Sequence, residues 1–469
     1  MRKTGWAIFL ILTLSLIGFI YWQWNEFKGI SILNDQDKLE QQIEIKQKSD
    51  RLIISHTFFH VNGDEISVIY PELISEIKCG NEGNIECREV INVDNKNVHY
   101  HYEIRFDSAH SSHILQDWFV KLNNIPVNET TINITVDNEI TGYWATNAPL
   151  TFYDEMENVR YFSFVSQQTE NLPLIWHKEP LQYTKVNEKI PLYYEGEINT
   201  ETLSFLEVFT KLENKKYPTL IISNEFSPQS LSGLVITSSN DEPNQIEMDW
   251  ITRFLMENYS DGKEEERWLF DLLAAYIADY TPANELQLYI NELEKNVSEE
   301  EKQQWITLIL QDNRYGKIDA KILDYYLGQI KNMNTSFFER CQTQLGSYVE
   351  MYFTMNKPII LQGNRELDEP VIIKNQHMYL PFETIISEFG FDFKKISDTE
   401  FYITDGVDVY RFYKNRDIFI FNEEMYGFFA NEKIDPIIII DEKIYATEKV
   451  FSDIFKFELY NLEEQIQIY

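Results

Sequence analysis

Ile246-Glu247-Met248-Asp249-Trp250 and Trp268-Leu269-Phe270-Asp271-Leu272-Leu273-Ala274-Ala275-Tyr276 are the two stretches whose reading decides the fold of this chain. In both, apolar residues recur at helical spacing, which predicts helices over 244–259 and 265–279. Positions i and i+4 share one helix face. Ile246, Trp250 and Phe254 therefore form a single apolar stripe, and such a stripe is built to pack. Each stretch also carries an acid, Glu247 and Asp271, which on packing grounds alone reads as solvated or paired.

Helical periodicity continues at 284–295, 299–312 and 317–355, with Ser298 and Glu301 spaced as a capping box. Upstream, 200–212 reads as a helix, and 217–222 and 233–237 read as strands, so 196–356 is expected to be a mixed, mainly helical domain. Residues 51–195 alternate polar with β-branched or aromatic residues, as at 98–106 and 131–136, and predict an antiparallel β domain. The segment 358–469 is β-rich and repeats itself. Pro370 and Pro436, Tyr379 and Tyr445, Phe389 and Phe455, and Phe391 and Phe457 are all offset by 66, which predicts a duplicated α+β unit.

The chain has 469 residues and a net charge of 41 − 76 = −35. A polyanion without a basic patch is repelled by phosphate backbones, so no nucleic-acid partner is expected. At the N-terminus, 7–21 is uncharged and flanked by Trp6, Trp22 and Trp24, with Arg2 and Lys3 ahead of it. Aromatic flanks and the positive-inside rule predict a cytoplasmic tail at 1–5, a transmembrane signal anchor at 6–24 and an exported remainder. A cleaved signal peptide is the alternative, although the exit through Ile20-Tyr21-Trp22 offers no small residues for cleavage. Residues 25–50 read as a polar juxtamembrane tether. Cys79 and Cys87 bracket a Gly-Asn-rich turn, which suits a disulfide in an oxidising compartment; free thiols or half a metal site are the other readings. Cys341 reads as a buried free thiol. The expected fold class is thus multi-domain α+β: a transmembrane helix, an antiparallel β domain, a mainly helical central domain and a duplicated α+β C-terminal domain.

Six of the eight histidines lie between His56 and His113. His99 and His101 alternate on one strand face and are metal candidates; the other reading is surface and turn histidines. No G-x-S-x-G, G-x-x-x-x-G-K or G-x-G-x-x-G occurs, and no cofactor is expected.

Two resemblances refine this picture. The segment His377-Met378-Tyr379-Leu380-Pro381-Phe382-Glu383-Thr384-Ile385, continued by Ile386-Ser387-Glu388-Phe389-Gly390-Phe391, resembles the stalk domain named after the N-terminal region of copper amine oxidases. That resemblance implies an accessory module on the surface of a Gram-positive bacterium, with no copper site. Residues 233–276 resemble the core of the gluzincin metallopeptidases. In those enzymes an edge strand leads to a helix with H-E-x-x-H, and a second helix supplies a third zinc ligand. Trp268 to Tyr276 fits the second helix, Gly233-Leu234-Val235-Ile236-Thr237 would be the edge strand, and Glu247 would stand at the general base. Ile246 and Trp250, however, occupy the seats of the imidazoles, and Asp271 stands at the third ligand. The resemblance therefore implies a zinc-free pseudo-metallopeptidase, with Glu247 and Asp271 as vestiges and the strand at 233–237 as a groove for a peptide added by strand pairing. The expected function is a membrane-anchored, extracellular binding or scaffold protein with a peptide or protein partner, non-enzymatic. An active extracellular hydrolase and a structural envelope spacer are the alternatives.

Overall fold

The computed structural model describes residues 39–80, 87–107, 110–123, 125–167, 171–198, 203–260, 266–311, 316–414, 416, 418–428 and 435–469. The expected anchor at 6–24 lies outside them. Among the described residues no helix is long and apolar enough to cross a membrane. The chain divides into two compact units, residues 1–246 and 247–469.

The first unit is built on an eight-stranded sheet. Its strand order is Ile74–Cys79, Val90–Arg105, Arg51–Ile69, Leu39–Gln47, Val127–Asp137, Val159–Ser166 and Leu150–Glu155, with Lys121–Asn123 paired to the far end of Arg51–Ile69. The polar tether expected over 25–50 is overturned where it can be seen. Leu39–Gln47 lies in the middle of the sheet, antiparallel to Arg51–Ile69 and parallel to Val127–Asp137. Every second residue is buried, as the pleat requires. Two of the inward residues are glutamines, which disguises the alternation in the sequence. Gln41 Nε2 donates to Thr130 Oγ1 at 2.7 Å, and Gln47 Oε1 accepts from Trp144 Nε1 at 2.9 Å. These partners replace water at the Gln41 amide and at Gln47 Oε1, while Gln47 Nε2 is buried without a partner among the described residues.

A three-stranded sheet (Ser112–Leu115, Leu174–His177, Tyr143–Thr146) and a five-stranded sheet complete this unit. The latter runs Gln182–Val186, Ile190–Tyr194, Thr219–Ile222, Leu234–Thr237, Gln229–Leu231, and its three central strands are parallel. It joins strands on both sides of residue 196, so the expected mainly helical domain does not begin there. Together with a content of about 42% strand against 23% helix, this corrects the expected fold class: the described residues are dominated by strands, and the first sheet is mixed rather than antiparallel. Strands pair laterally with partners distant in sequence, which local hydropathy does not reveal. Helix α1 (Leu206–Phe209) is a single turn.

Helix α2 (Pro243–Tyr259) leads into the second unit, followed by α3 (Arg267–Ile277), α4 (Leu286–Asn296), α5 (Glu299–Gln311), α6 (Ala320–Lys331) and α7 (Phe337–Thr343). The capping box opens α5: Ser298 N donates to Glu301 Oε2 at 2.8 Å, and Glu301 N donates to Ser298 Oγ at 3.3 Å. Trp305 of α5 is wholly buried and stacks on Phe338 at 5.5 Å.

The C-terminal part holds three sheets, a short helix α8 (Phe382–Glu388) and a π-helical turn at Val450–Ile454. The 66-residue offset reappears as a pseudo-twofold axis. Hairpin Val371–Lys374/His377–Pro381 and hairpin Ile437–Ile440/Lys443–Thr447 meet through their second strands. The register pairs Tyr379 with Thr447, Leu380 with Ala446 and Pro381 with Tyr445, so equivalent residues face each other across Leu380 and Ala446. Both hairpins turn through two left-handed residues, Asn375-Gln376 and Asp441-Glu442, as twisted two-residue hairpins require. Across the axis Phe389 stacks on Phe457 at 4.1 Å and Phe391 meets Phe455 edge-on at 5.3 Å.

The two copies differ after their helices. Gly390 (φ +87°) and Lys456 (φ +61°) hold the same left-handed position. A side chain there costs about 1 kcal/mol. Lys456→Gly is accordingly expected to raise stability by about 0.5 kcal/mol after the entropic cost of glycine, and Gly390→Ala to lower it by about 1 kcal/mol. Thermal or urea unfolding of the two variants checks this, and opposite signs are the expected result.

Candidate functional site

The buried stripe on α2 consists of Ile246, Trp250 and Phe254, exposed by 3%, 0% and 0%. Trp250 and Phe254 stack with their planes 14° apart and centroids at 5.4 Å. Neither Ile246 nor Trp250 has a lone pair to give a metal. Asp271 on α3 is partly buried, and its Oδ2 lies 3.7 Å from Arg267 Nε, one turn earlier on the same helix. Among the described residues no group of three or more His, Cys, Asp or Glu is placed to hold a metal ion. The residues at this position do not fit a zinc ion.

What surrounds Glu247 is a mixed ionic cluster. Burial, and secondarily the negative charge of Asp279, push its carboxyl up to about 7, while Lys302 acts in the opposite sense. Lys302, on α5, is 4% exposed; its ammonium pairs with the Asp279 carboxylate and lies 4.7 Å above the ring of Tyr276. Burial, followed by several nearby carboxylates, raises the Tyr276 hydroxyl. α2, α3, the turn after α3 and α5 each contribute one member. The arrangement places a carboxyl able to exchange a proton near neutrality beside a buried cation. It lacks an imidazole or a thiol. Sequence reading missed Lys302 and Asp279. Lys302 lies on the same face of α5 as Trp305 and Ile309, and a lysine on an apolar stripe was the signal available.

The strand proposed as a groove is not an edge. Leu234–Thr237 is flanked by Thr219–Ile222 on one side and by Gln229–Leu231 on the other, with Gln229 opposite Ile236 and Leu231 opposite Leu234. Gly233 (φ +63°) makes the tight turn that folds the outer strand back. No ladder position remains for a peptide beside Leu234, Val235 or Ile236.

The histidines also have local partners. His99 Nδ1 lies 2.9 Å from Thr57 Oγ1, and His101 Nδ1 lies 3.1 Å from Ser55 Oγ, both across the ladder from Val90–Arg105 to Arg51–Ile69. His56 is fully buried, its imidazole lowered to about 3 by burial, with Nε2 2.9 Å from Gln41 Oε1. A second buried chain was not foreseen. His177 Nδ1 donates to Glu179 O at 2.7 Å, its Nε2 lies 3.2 Å from Ser223 Oγ, and Ser223 Oγ donates to Glu195 Oε2 at 3.1 Å. Ser223 is 1% exposed, so this chain ties strands together and presents no nucleophile. Cys79 and Cys87 form a disulfide with a Cα–Cα distance of 5.4 Å, and Cys341 is a buried free thiol.

Neither a protein-family model nor a curated protein matches the chain. The stalk-domain resemblance therefore has no support beyond the residues that suggested it. Among solved structures, the M1 zinc metallopeptidase from Deinococcus radiodurans is 9% identical, with 67% of this chain and 93% of that chain covered and a TM-score of 0.39. A point mutant from the same organism, bound to a Tyr-Ser-Ala substrate, is 10% identical, with 66% and 95% covered and a TM-score of 0.41. A two-domain mutant form bound to L-tryptophan is 10% identical, with 66% and 95% covered and a TM-score of 0.42. The structural neighbours are thus M1 zinc metallopeptidases at low identity, and at these scores they assign no activity to this chain.

Glu247 makes stability depend on pH. Its folded-state pKa lies above the unfolded 4.5, so its contribution is most favourable below pH 4.5 and is lost as pH rises through about 7. Solvent screening of this partly buried group limits the loss to about 1 kcal/mol. Glu247→Gln is expected to unfold at higher urea than the parent at pH 8 and at the same urea at pH 4.5. Equal midpoints at pH 8 would show that the cluster does not strain the carboxylate.

Proposed function

We propose that this chain is a non-catalytic binding or scaffold protein on a metallopeptidase-like fold. The observation that carries the reading is the wholly buried Trp250, stacked on Phe254 in line with buried Ile246. At the helix spacing where a gluzincin would present two imidazoles to zinc, this chain places side chains committed to the core. Glu247 and Asp271 remain as acids, but Asp271 is turned to Arg267 and Glu247 lies beside the Asp279–Lys302 pair. A disulfide in a chain with only one other cysteine supports work in an oxidising, extracytoplasmic compartment. The partner we infer is a protein or peptide.

Purified full-length chain is expected to carry no stoichiometric zinc by elemental analysis and to leave a mixed peptide library uncut. Chelator-sensitive cleavage would defeat the reading. The packing argument has its own check. Trp250→His is expected to cost about 3 kcal/mol through the cavity left in the core, measured by denaturant unfolding, and a loss below about 1 kcal/mol would mean that the helix face is not committed to packing.

A further inference from the structure

The eight-stranded sheet of the first unit ends in a strand with no further strand paired to its outer side among the described residues. Leu150–Glu155 pairs on one side with Val159–Ser166, with Phe152 opposite Ser163, Tyr153 opposite Phe162, Asp154 opposite Tyr161 and Glu155 opposite Arg160. Met156 N donates to Val159 O at 2.9 Å. In an antiparallel ladder hydrogen-bonded and non-bonded pairs alternate. Counting back from Met156, Asp154 and Phe152 direct their N–H and C=O groups at the neighbouring strand, and Tyr153 and Glu155 direct theirs outward. Phe152, Tyr153 and Met156 are 51%, 41% and 54% exposed.

Natural edges are normally guarded by lysine, proline or inward charge. The segment 150–157, Leu-Thr-Phe-Tyr-Asp-Glu-Met-Glu, has no lysine, arginine or proline. It has three acids, and among the described residues Asp154 and Glu157 make no ion pair. A second copy of the chain is a poor occupant, since pairing would bring Asp154, Glu155 and Glu157 against their equivalents. We propose that this edge takes an extended basic peptide segment, adding as a further strand, with Lys or Arg against Glu155 and Glu157 on one face of the strand and aliphatic or aromatic residues against Phe152 and Met156 on the other. The proposal deepens the binding-protein reading and rests on it.

The probe is a fluorescein-labelled peptide, Lys-Val-Lys-Val-Lys-Val-Lys, added to the full chain. Anisotropy is expected to show saturable binding, weakened about tenfold by the double substitution Glu155→Lys/Glu157→Lys. It is also expected to be much weaker for Lys-Gly-Lys-Gly-Lys-Gly-Lys, which has the same charge and poor strand propensity. Hydrogen exchange on the unaltered protein, which no folding defect can confound, is expected to show new protection at the amides of Tyr153 and Glu155. Equal binding of the glycine peptide, or protection gained at other edges such as Gln229–Leu231 and not here, would overturn the proposal. Mass spectrometry of the recovered peptide separates the two claims: a cut peptide sinks the non-catalytic reading, while the exchange pattern alone decides the edge.

Discussion

A β-strand has two sides, and each carries a row of N–H and C=O groups that must find partners or water. That requirement arranges most of this molecule. It draws Leu39–Gln47 into the middle of the first sheet, closes Leu234–Thr237 between two neighbours, and joins the two C-terminal hairpins at Leu380 and Ala446. Among the described residues the pairing of that sheet stops at Leu150–Glu155.

The second organising constraint is that a helix face can serve only one purpose. On α2, three apolar side chains take one face, and burial is complete at Trp250 and Phe254. The polar residues nearby adapt around that choice. Lys302 is buried beneath the Asp279 carboxylate and the Tyr276 ring, and Glu247 is left in surroundings that disfavour its charge. Among the described residues the cluster is not placed to hold a metal ion, yet it gathers several opposing charges in one place.

Much of this was readable in the sequence, and the exceptions share a cause. The stripe Ile246, Trp250, Phe254, the capping box at Ser298 and Glu301 and the 66-residue repeat are properties of residues close in sequence or of self-similarity, and periodicity reports both. Leu39–Gln47 does not read as a strand because Gln41 and Gln47 face inward, and only Thr130, His56 and Trp144, distant in sequence, make that acceptable. The covering of the strand at 233–237 is hidden in the sequence because the segment that pairs with it, Gln229–Leu231, is too short and polar to register as a strand. The buried role of Lys302 is hidden in the sequence because a lysine is ordinarily solvated, and its partner Asp279 lies in the turn after another helix.

The pseudo-twofold register at Leu380 and Ala446 has a consequence for how such a module holds together. A single hairpin of this type would have a bare flank along His377–Pro381, and only another molecule bearing the same hairpin could match it. With both halves on one polypeptide, the encounter no longer depends on how many molecules are present, because the tether supplies a fixed local abundance of the matching surface. The C-terminal module is, in its geometry, a homodimer that dilution cannot separate.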